Sequence, residues 1–153
     1  MNLEGRVKKA LVDIGFLEKY GAISQEYNPE HLNQEERLEY LDGEEVMDII
    51  SRLGYKPAFD RKEKFYTVSE IERNGYEYKF NIILTAGMVD MVWVIKKNDE
   101  LILGSPIGTF SKRIDSKNPR IKKPVFGTYE ELEIIINRLV KLYEEFIENY
   151  ISY

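Results

Sequence analysis

Between Lys64 and Leu103 apolar and polar residues alternate with a period of two, in four runs: KFYTVSEI, YEYKFNIIL, MVDMVWVIK and ELILGS. Such alternation predicts strands with one buried face. The breaks between the four runs hold Asn74-Gly75, Ala86-Gly87 and Asn98-Asp99. Asn-Gly is a strong two-residue hairpin signal, because a type I′ turn needs positive φ at both positions. Two-residue loops at all three sites set Arg73 opposite Tyr76, Ile71 opposite Tyr78 and Ser69 opposite Phe80. They also set Leu84 opposite Val89, Ile82 opposite Met91, Phe80 opposite Trp93 and Tyr78 opposite Ile95, then Ile95 opposite Ile102 and Trp93 opposite Gly104. The three turns agree in putting Phe65, Ile71, Tyr78, Phe80, Ile82, Leu84, Val89, Met91, Trp93, Ile95 and Ile102 on one face. A slip of one residue would send a whole strand's apolar set to the other side.

The opposite face is mixed. It carries Glu70 opposite Lys79, with Glu77, Asn81, Asp90 and Lys96, but also Val68, Ile83, Val92, Val94, Leu101 and Leu103. A fully solvated face is more polar than this. Partial cover by a loop or helix is expected, and a docking surface that includes Tyr66, Val68, Val92 and Val94 is the rival reading.

Around this sheet the period lengthens to that of helices. Val7, Ala10, Leu11, Ile14 and Leu17 or Glu18 give one stripe over residues 2 to about 20, with Gly21 as the stop. Asn28-Pro29 opens a second helix, from there or from Asn33 through Leu38 and Leu41, which Asp42-Gly43 interrupts. Val46, Ile49, Ile50 and Leu53 define a third, ended by Gly54. After the sheet, Gly104, Pro106 and Gly108 form a bend, and 109–114 is expected to add a short edge strand. Thr128 with Glu131 three residues on reads as a capping box. It opens a helix striped by Leu132, Ile135, Ile136, Leu139, Leu142, Tyr143, Phe146, Ile147 and Tyr150, the natural cover for the apolar sheet face. The predicted fold is α+β: a four- or five-stranded antiparallel meander flanked by N-terminal helices and one long C-terminal helix, in a single domain over residues 1–153.

Composition adds two constraints. With no cysteine there is no disulfide framework and no thiolate nucleophile or metal ligand. No apolar run reaches membrane-spanning length, and the N-terminus is charged throughout rather than shaped as a signal peptide, so no membrane partner and a cytoplasmic location are expected. Charge changes the picture more. The net charge is −5, yet residues 26–48 alone carry Glu26, Glu30, Glu35, Glu36, Glu39, Asp42, Glu44, Glu45 and Asp48 against Arg37. The basic counterpart is 111–123, with Lys112, Arg113, Lys117, Arg120, Lys122 and Lys123 against Asp115. Net acidity disfavours nucleic acid as the main partner and suits a basic protein.

Candidate chemistry is sparse. His31, the only histidine, has no nucleophile or second titrating group placed beside it by sequence and reads as a surface residue. Asp42-Gly43-Glu44-Glu45 lacks the ligand alternation of a calcium loop. Gly-Ser-Pro-Ile-Gly lacks the spacing and the lysine of a phosphate loop. No catalytic residue, metal ligand or cofactor is assigned. The expected binding residues are Glu35, Glu36, Glu39, Asp42 and Glu45 as an electrostatic surface, with 35, 39 and 42 on one helix face and Tyr40 as anchor. The alternative is a nucleic-acid-binding regulator acting through 111–123, a segment without the aromatic residues that stack on bases.

From Tyr78 to the C-terminus, about half the chain, the layout of MVDMVWVIKKNDELILGSPIG, PRIKKPVFGTYEEL and IIINRLVKLYEEFI resembles small bacterial immunity proteins of polymorphic and contact-dependent growth-inhibition toxin systems. The resemblance implies a non-enzymatic cytoplasmic inhibitor that binds one toxin domain, often a nuclease, and blocks its active site or substrate surface. It transfers no functional residue, because these proteins share no common toxin-binding motif.

Overall fold

The structure is a computed structural model that describes residues 3–68 and 71–152, with Ile71 described by its backbone only. The fold is α+β. Six antiparallel strands, β1 (Pro57–Asp60), β2 (Phe65–Val68), β3 (Ile71–Arg73), β4 (Tyr76–Thr85), β5 (Met88–Lys97) and β6 (Glu100–Pro106), form one sheet in the order β1-β2-β4-β5-β6, with β3 also paired to β4. Helices α1 (Gly5–Asp13), α2 (Phe16–Glu26) and α3 (Gly43–Arg52) precede it; α4 (Phe110–Ile114) and α5 (Tyr129–Ile151) follow. Among the described residues no helix is long and apolar enough to cross a membrane.

The three turns take the conformation expected of them. Asn74, Gly75, Ala86, Gly87, Asn98 and Asp99 all have positive φ, and β4 pairs with β5 in the predicted register from Tyr76↔Lys97 to Thr85↔Met88. This register turns Tyr78, Phe80, Ile82, Val89, Met91, Trp93 and Ile95 inward, where they are buried. Helix α5 covers them with its predicted stripe, of which Ile147 alone is only partly buried. Its N-terminus forms the Thr128 half of the expected capping box, the Glu131 amide donating to Thr128 Oγ1 at 3.1 Å, while Glu131 Oε1 accepts from the amide of Gly127, one residue before the cap, at 2.9 Å.

The register departs from expectation at both flanks of this pair. Ile71 lies opposite Tyr78 as predicted, but Tyr66 lies opposite Ile82 and Thr67 opposite Asn81. Carrying the β3 register back would have put Tyr66 opposite Ile83, so the pairings of β2 and β3 with β4 differ by one residue. The expected pairs Ser69–Phe80 and Glu70–Lys79 lie outside the described residues. The shift turns Tyr66 and Val68 into the core and leaves Phe65 only partly buried, which reverses their predicted faces and removes two members of the rival docking surface. On the far side a bulge between Ile95 and Lys96 sets Ile95 opposite Leu103 and Trp93 opposite Ser105. Leu103, not Ile102, is therefore buried. Gly104 does not make room for the indole: a side chain there would lie 3.1 Å from the Leu101 methyls.

Elsewhere propensity gives way to tertiary contacts. The first helix is two helices. Gly15, at φ +70, breaks it into α1 and α2, and Gly21 sits inside α2. The break starts a new apolar stripe, Phe16, Tyr20 and Ile23. The helix expected through Leu38 and Leu41 is absent. Two short 3-10 turns, Pro29–His31 and Gln34–Glu36, lead into an extended segment that ends at Asp42, the N-cap of α3. The expected edge strand at 109–114 is instead helical, because Ile107, Phe110 and Ile114 fall at helical spacing and all three are buried. A strand that the sequence pattern missed, β1, pairs with β2 across a turn in which Asp60 Oδ1 accepts from the amides of Lys62 and Glu63.

Cover on the mixed face is partial. Asn81, Asp90 and Val94 are buried, while Leu101 is 59% exposed. At the centre of the core, Trp93 is fully buried among the rings of Phe16, Phe110, Tyr143 and Phe146, with centroids 5.1–5.8 Å away. Truncating it removes four aromatic contacts at once. Chemical denaturation of Trp93→Ala is expected to show a loss of about 3–5 kcal/mol; a loss below about 1 kcal/mol would contradict this placement.

Candidate functional site

Between α2 and α3 the acidic segment is not a helix face but a strap across one end of the sheet. Its position comes from the β4–β5 turn. The Val89 amide donates to the Pro124 carbonyl, the Phe126 amide to Gly87 and the Leu38 amide to Phe126, each at 3.0 Å. Nearby, the Val125 amide donates to the Tyr27 carbonyl at 3.0 Å. The turn, the 124–127 segment and the strap are thus laced together. Arg37 lies directly over the turn, and its guanidinium donates to the carbonyls of Leu32 and Pro29. At its far end the strap is held by the Asp42 amide, which donates to Tyr129 Oη at 2.8 Å.

The predicted binding residues lie along this strap in different roles. Glu35 and Glu36 sit on the second 3-10 turn, and Glu36 Oε1 accepts from the Asn33 amide as part of a capping box. Asp42 Oδ1 accepts from the Glu44 amide and caps α3. Glu45 lies in the first turn of α3 and is half-buried. Glu35 and Glu39 are exposed, and Tyr40 is 91% exposed. Residues 35, 39 and 42 therefore do not share a helix face, because no helix runs through them. They remain close along one surface segment, and among the described residues Glu35, Glu39 and Glu44 form no ion pair. The outer carboxylates are engaged otherwise: Glu26 pairs with Arg138, and Glu30 with Lys122. His31 is exposed on the first 3-10 turn.

Beside the strap the structure opens a groove that sequence reasoning did not find. Leu41, Met47, Phe59 and Tyr66 supply its apolar lining, with Asp42, Glu44 and Asp48 among them, around a space of about 800 Å³. Phe59 is 46% exposed and packs on the Tyr66 ring at 4.9 Å. Only the pairing of β1 with β2 brings Phe59 here, and the short run Pro57–Asp60 gave no alternation long enough to reveal it.

The basic segment is largely committed within the fold. Lys112 Nζ donates to the Ser116 carbonyl, Arg113 to Ser105 Oγ, Lys122 pairs with Glu30, and Lys123 Nζ lies 3.6 Å from Asp90 Oδ2. Asp90 itself is buried. Its Oδ1 accepts from the amides of Met91 at 2.8 Å and Gly108 at 3.4 Å. Burial raises its carboxyl above the ordinary value, opposed by the Met91 amide, the Lys123 charge and the Gly108 amide. Among the described residues no three histidine, aspartate or glutamate side chains converge as a metal cluster. No family model, curated protein or solved structure matches the chain.

Two measurements follow from this geometry. A carboxyl raised on folding favours the protonated form, so its burial costs nothing below the ordinary value and destabilises the fold as pH rises through the raised one. Asp90→Asn keeps an acceptor for both amides. It is expected to raise the melting temperature at pH 7, with the gain shrinking as pH falls through the raised value and gone by about pH 4; a gain that grows on acidification would contradict the assignment. The second concerns the turn. Gly75 and Gly87 both have positive φ, but a Cβ on Gly87 would lie 2.5 Å from Arg37 Cβ, against 3.3 Å to the mobile tip of Asn98 at Gly75. Both alanine substitutions carry roughly 1 kcal/mol of backbone strain. Gly87→Ala is expected to cost clearly more in denaturation and to shift the amide resonances of residues 32–38, whereas equal costs would mean that the strap does not rest on the turn.

Proposed function

We propose that the chain is a non-enzymatic binding protein, an immunity-type inhibitor that works in the cytoplasm and neutralises a basic toxin domain such as a nuclease through the acidic strap. The observation that carries this reading is the combination of a nearly fully exposed tyrosine, Tyr40, on the pinned strap with Glu35 and Glu39 on the strap and Glu44 at the start of α3, carboxylates that form no ion pair among the described residues. A nuclease needs a basic cleft for its substrate, and a surface of opposite sign speeds encounter and fixes register. Tyrosine gives large contact area at small conformational cost and is enriched among the residues that dominate binding energy. Hydrogen bonds at Leu38 and Asp42 hold the backbone on either side of Tyr40 before any partner arrives, which limits the ordering cost of binding. The groove with Phe59 and Met47 supplies apolar area next to that charge.

The test uses as ligand the product of the open reading frame immediately upstream of this chain's own; a neighbour that is not toxic, or that does not bind, would itself count against the reading. Because Asp42 caps α3, charge reversal is best placed at Glu35→Lys, Glu39→Lys and Glu44→Lys. The triple variant is expected to stay folded, associate at least about tenfold more slowly at low salt, and lose most of the salt dependence of association. Tyr40→Ala is expected to act on dissociation instead, weakening binding by roughly 2 kcal/mol. Unchanged association kinetics in the folded triple variant would remove the strap as the interface.

A further inference from the structure

A second site lies between α5 and the β3–β4 hairpin and shares no residue with the acidic strap. It is a cavity of about 310 Å³, at the lower end of the ~300–1,000 Å³ range of ligand pockets. Tyr78 of β4 and Tyr143 of α5 line it, each only 2% exposed. Neither hydroxyl has a hydrogen-bond partner among the described residues, and neither is sealed in the core as the hydroxyl of Tyr20 is. Two hydroxyls on buried tyrosines, lining one cavity and without a partner among the described residues, are polar capacity that the fold itself does not use.

The rest of the lining gives the ligand its sign. Glu144 and Glu148, one turn apart on α5, are both exposed to the cavity's solvent side, and Tyr55 Oη donates to Glu144 Oε2 at 2.9 Å. That bond orients the carboxylate and leaves its second oxygen for a ligand. Arg73 is the one cation in the lining, so two carboxylates outweigh it. Tyrosine ring faces are electron-rich and attract cations, and Ile147 offers surface to an alkyl body. We propose that this cavity binds an organic cation: a primary ammonium head on a short alkyl chain, held by Glu144 with the hydroxyls of Tyr78 and Tyr143. The same head occurs on a free small amine and at the tip of a lysine side chain.

The experiment is NMR titration of protein carrying ¹³C-labelled tyrosine with n-butylammonium chloride, with sodium n-butyrate and n-butanol as controls of equal chain length. The ring signals of Tyr78 and Tyr143 are expected to shift saturably with n-butylammonium and not with n-butyrate. Glu144→Gln, which keeps size and exposure, is expected to weaken binding about tenfold or more, the loss typical of a charged hydrogen bond. Tyr143→Phe is expected to weaken binding without lowering the melting temperature, because its hydroxyl holds nothing in the fold. N-acetyl-lysine methylamide assigns the source: binding comparable to n-butylammonium identifies a protein lysine, and binding of n-butylammonium alone identifies a free amine. Equal response to butyrate, no saturable shift with n-butylammonium, or full affinity in Glu144→Gln would each overturn the proposal. None of these outcomes bears on the acidic strap.

Discussion

The packing of the β4–β5 face beneath α5 is the constraint on which the rest of the molecule depends. Two long strands joined by a two-residue turn present an unbroken inward row, and α5 is long enough to cover it along its length. Trp93 and Phe80 meet Tyr143 and Phe146 at this junction. The N-terminal helices then fill the space beside it: Phe16 of α2 packs edge-on to Trp93. Arg6 of α1 donates to the Tyr150 carbonyl at the end of α5 and to Tyr76 Oη on β4, and lies 4.1 Å from the centre of the Tyr150 ring. An arginine so placed joins the first helix, the last helix and a central strand with directional bonds.

From that core the acidic strap takes its shape. A segment this rich in carboxylates repels itself and has little intrinsic reason to hold one conformation. Its order comes from outside: the turn at 86–87, the 124–127 segment beneath it and Tyr129 at the start of α5 fix its backbone. Several of its polar side chains also serve the backbone locally, as Asn28, Glu36 and Asp42 do. The Leu38 amide is bonded to the Phe126 carbonyl rather than within a helix, and Asp42, as N-cap of α3, holds extended backbone where such a helix would have to continue, so apolar spacing at Leu38 and Leu41 did not become a helix.

How much of this was legible follows from the range of the interactions. The β4–β5 register, the three turns and the stripe of α5 are set by local chemistry and simple periods, and they read directly. The β2 shift and the bulge at Ile95 were not legible, because a one-residue irregularity changes faces without changing composition. Tyr66 and Val68 against Phe65, and Leu103 against Ile102, are pairs of apolar neighbours that satisfy either register. The candidate residues were legible as charge, and Tyr40 as an exposed aromatic, but their arrangement was not. It depends on bonds to residues more than eighty positions away, Phe126 and Tyr129. The groove around Phe59 and the tyrosine cavity arise the same way, from elements that meet only in the folded chain.

The claim that ties these parts together is that the core holds the acidic strap in one conformation through the laced turn. Amide hydrogen exchange tests it most directly. The amides of Leu38, Val89 and Phe126, each bonded across the lacing, are expected to be protected and to open together. The amides of Glu39 and Tyr40 have no backbone or side-chain acceptor among the described residues and are expected to exchange much faster. Leu38 exchanging as fast as Tyr40, while Val89 stays protected, would show that the strap moves independently of the core and would contradict the account.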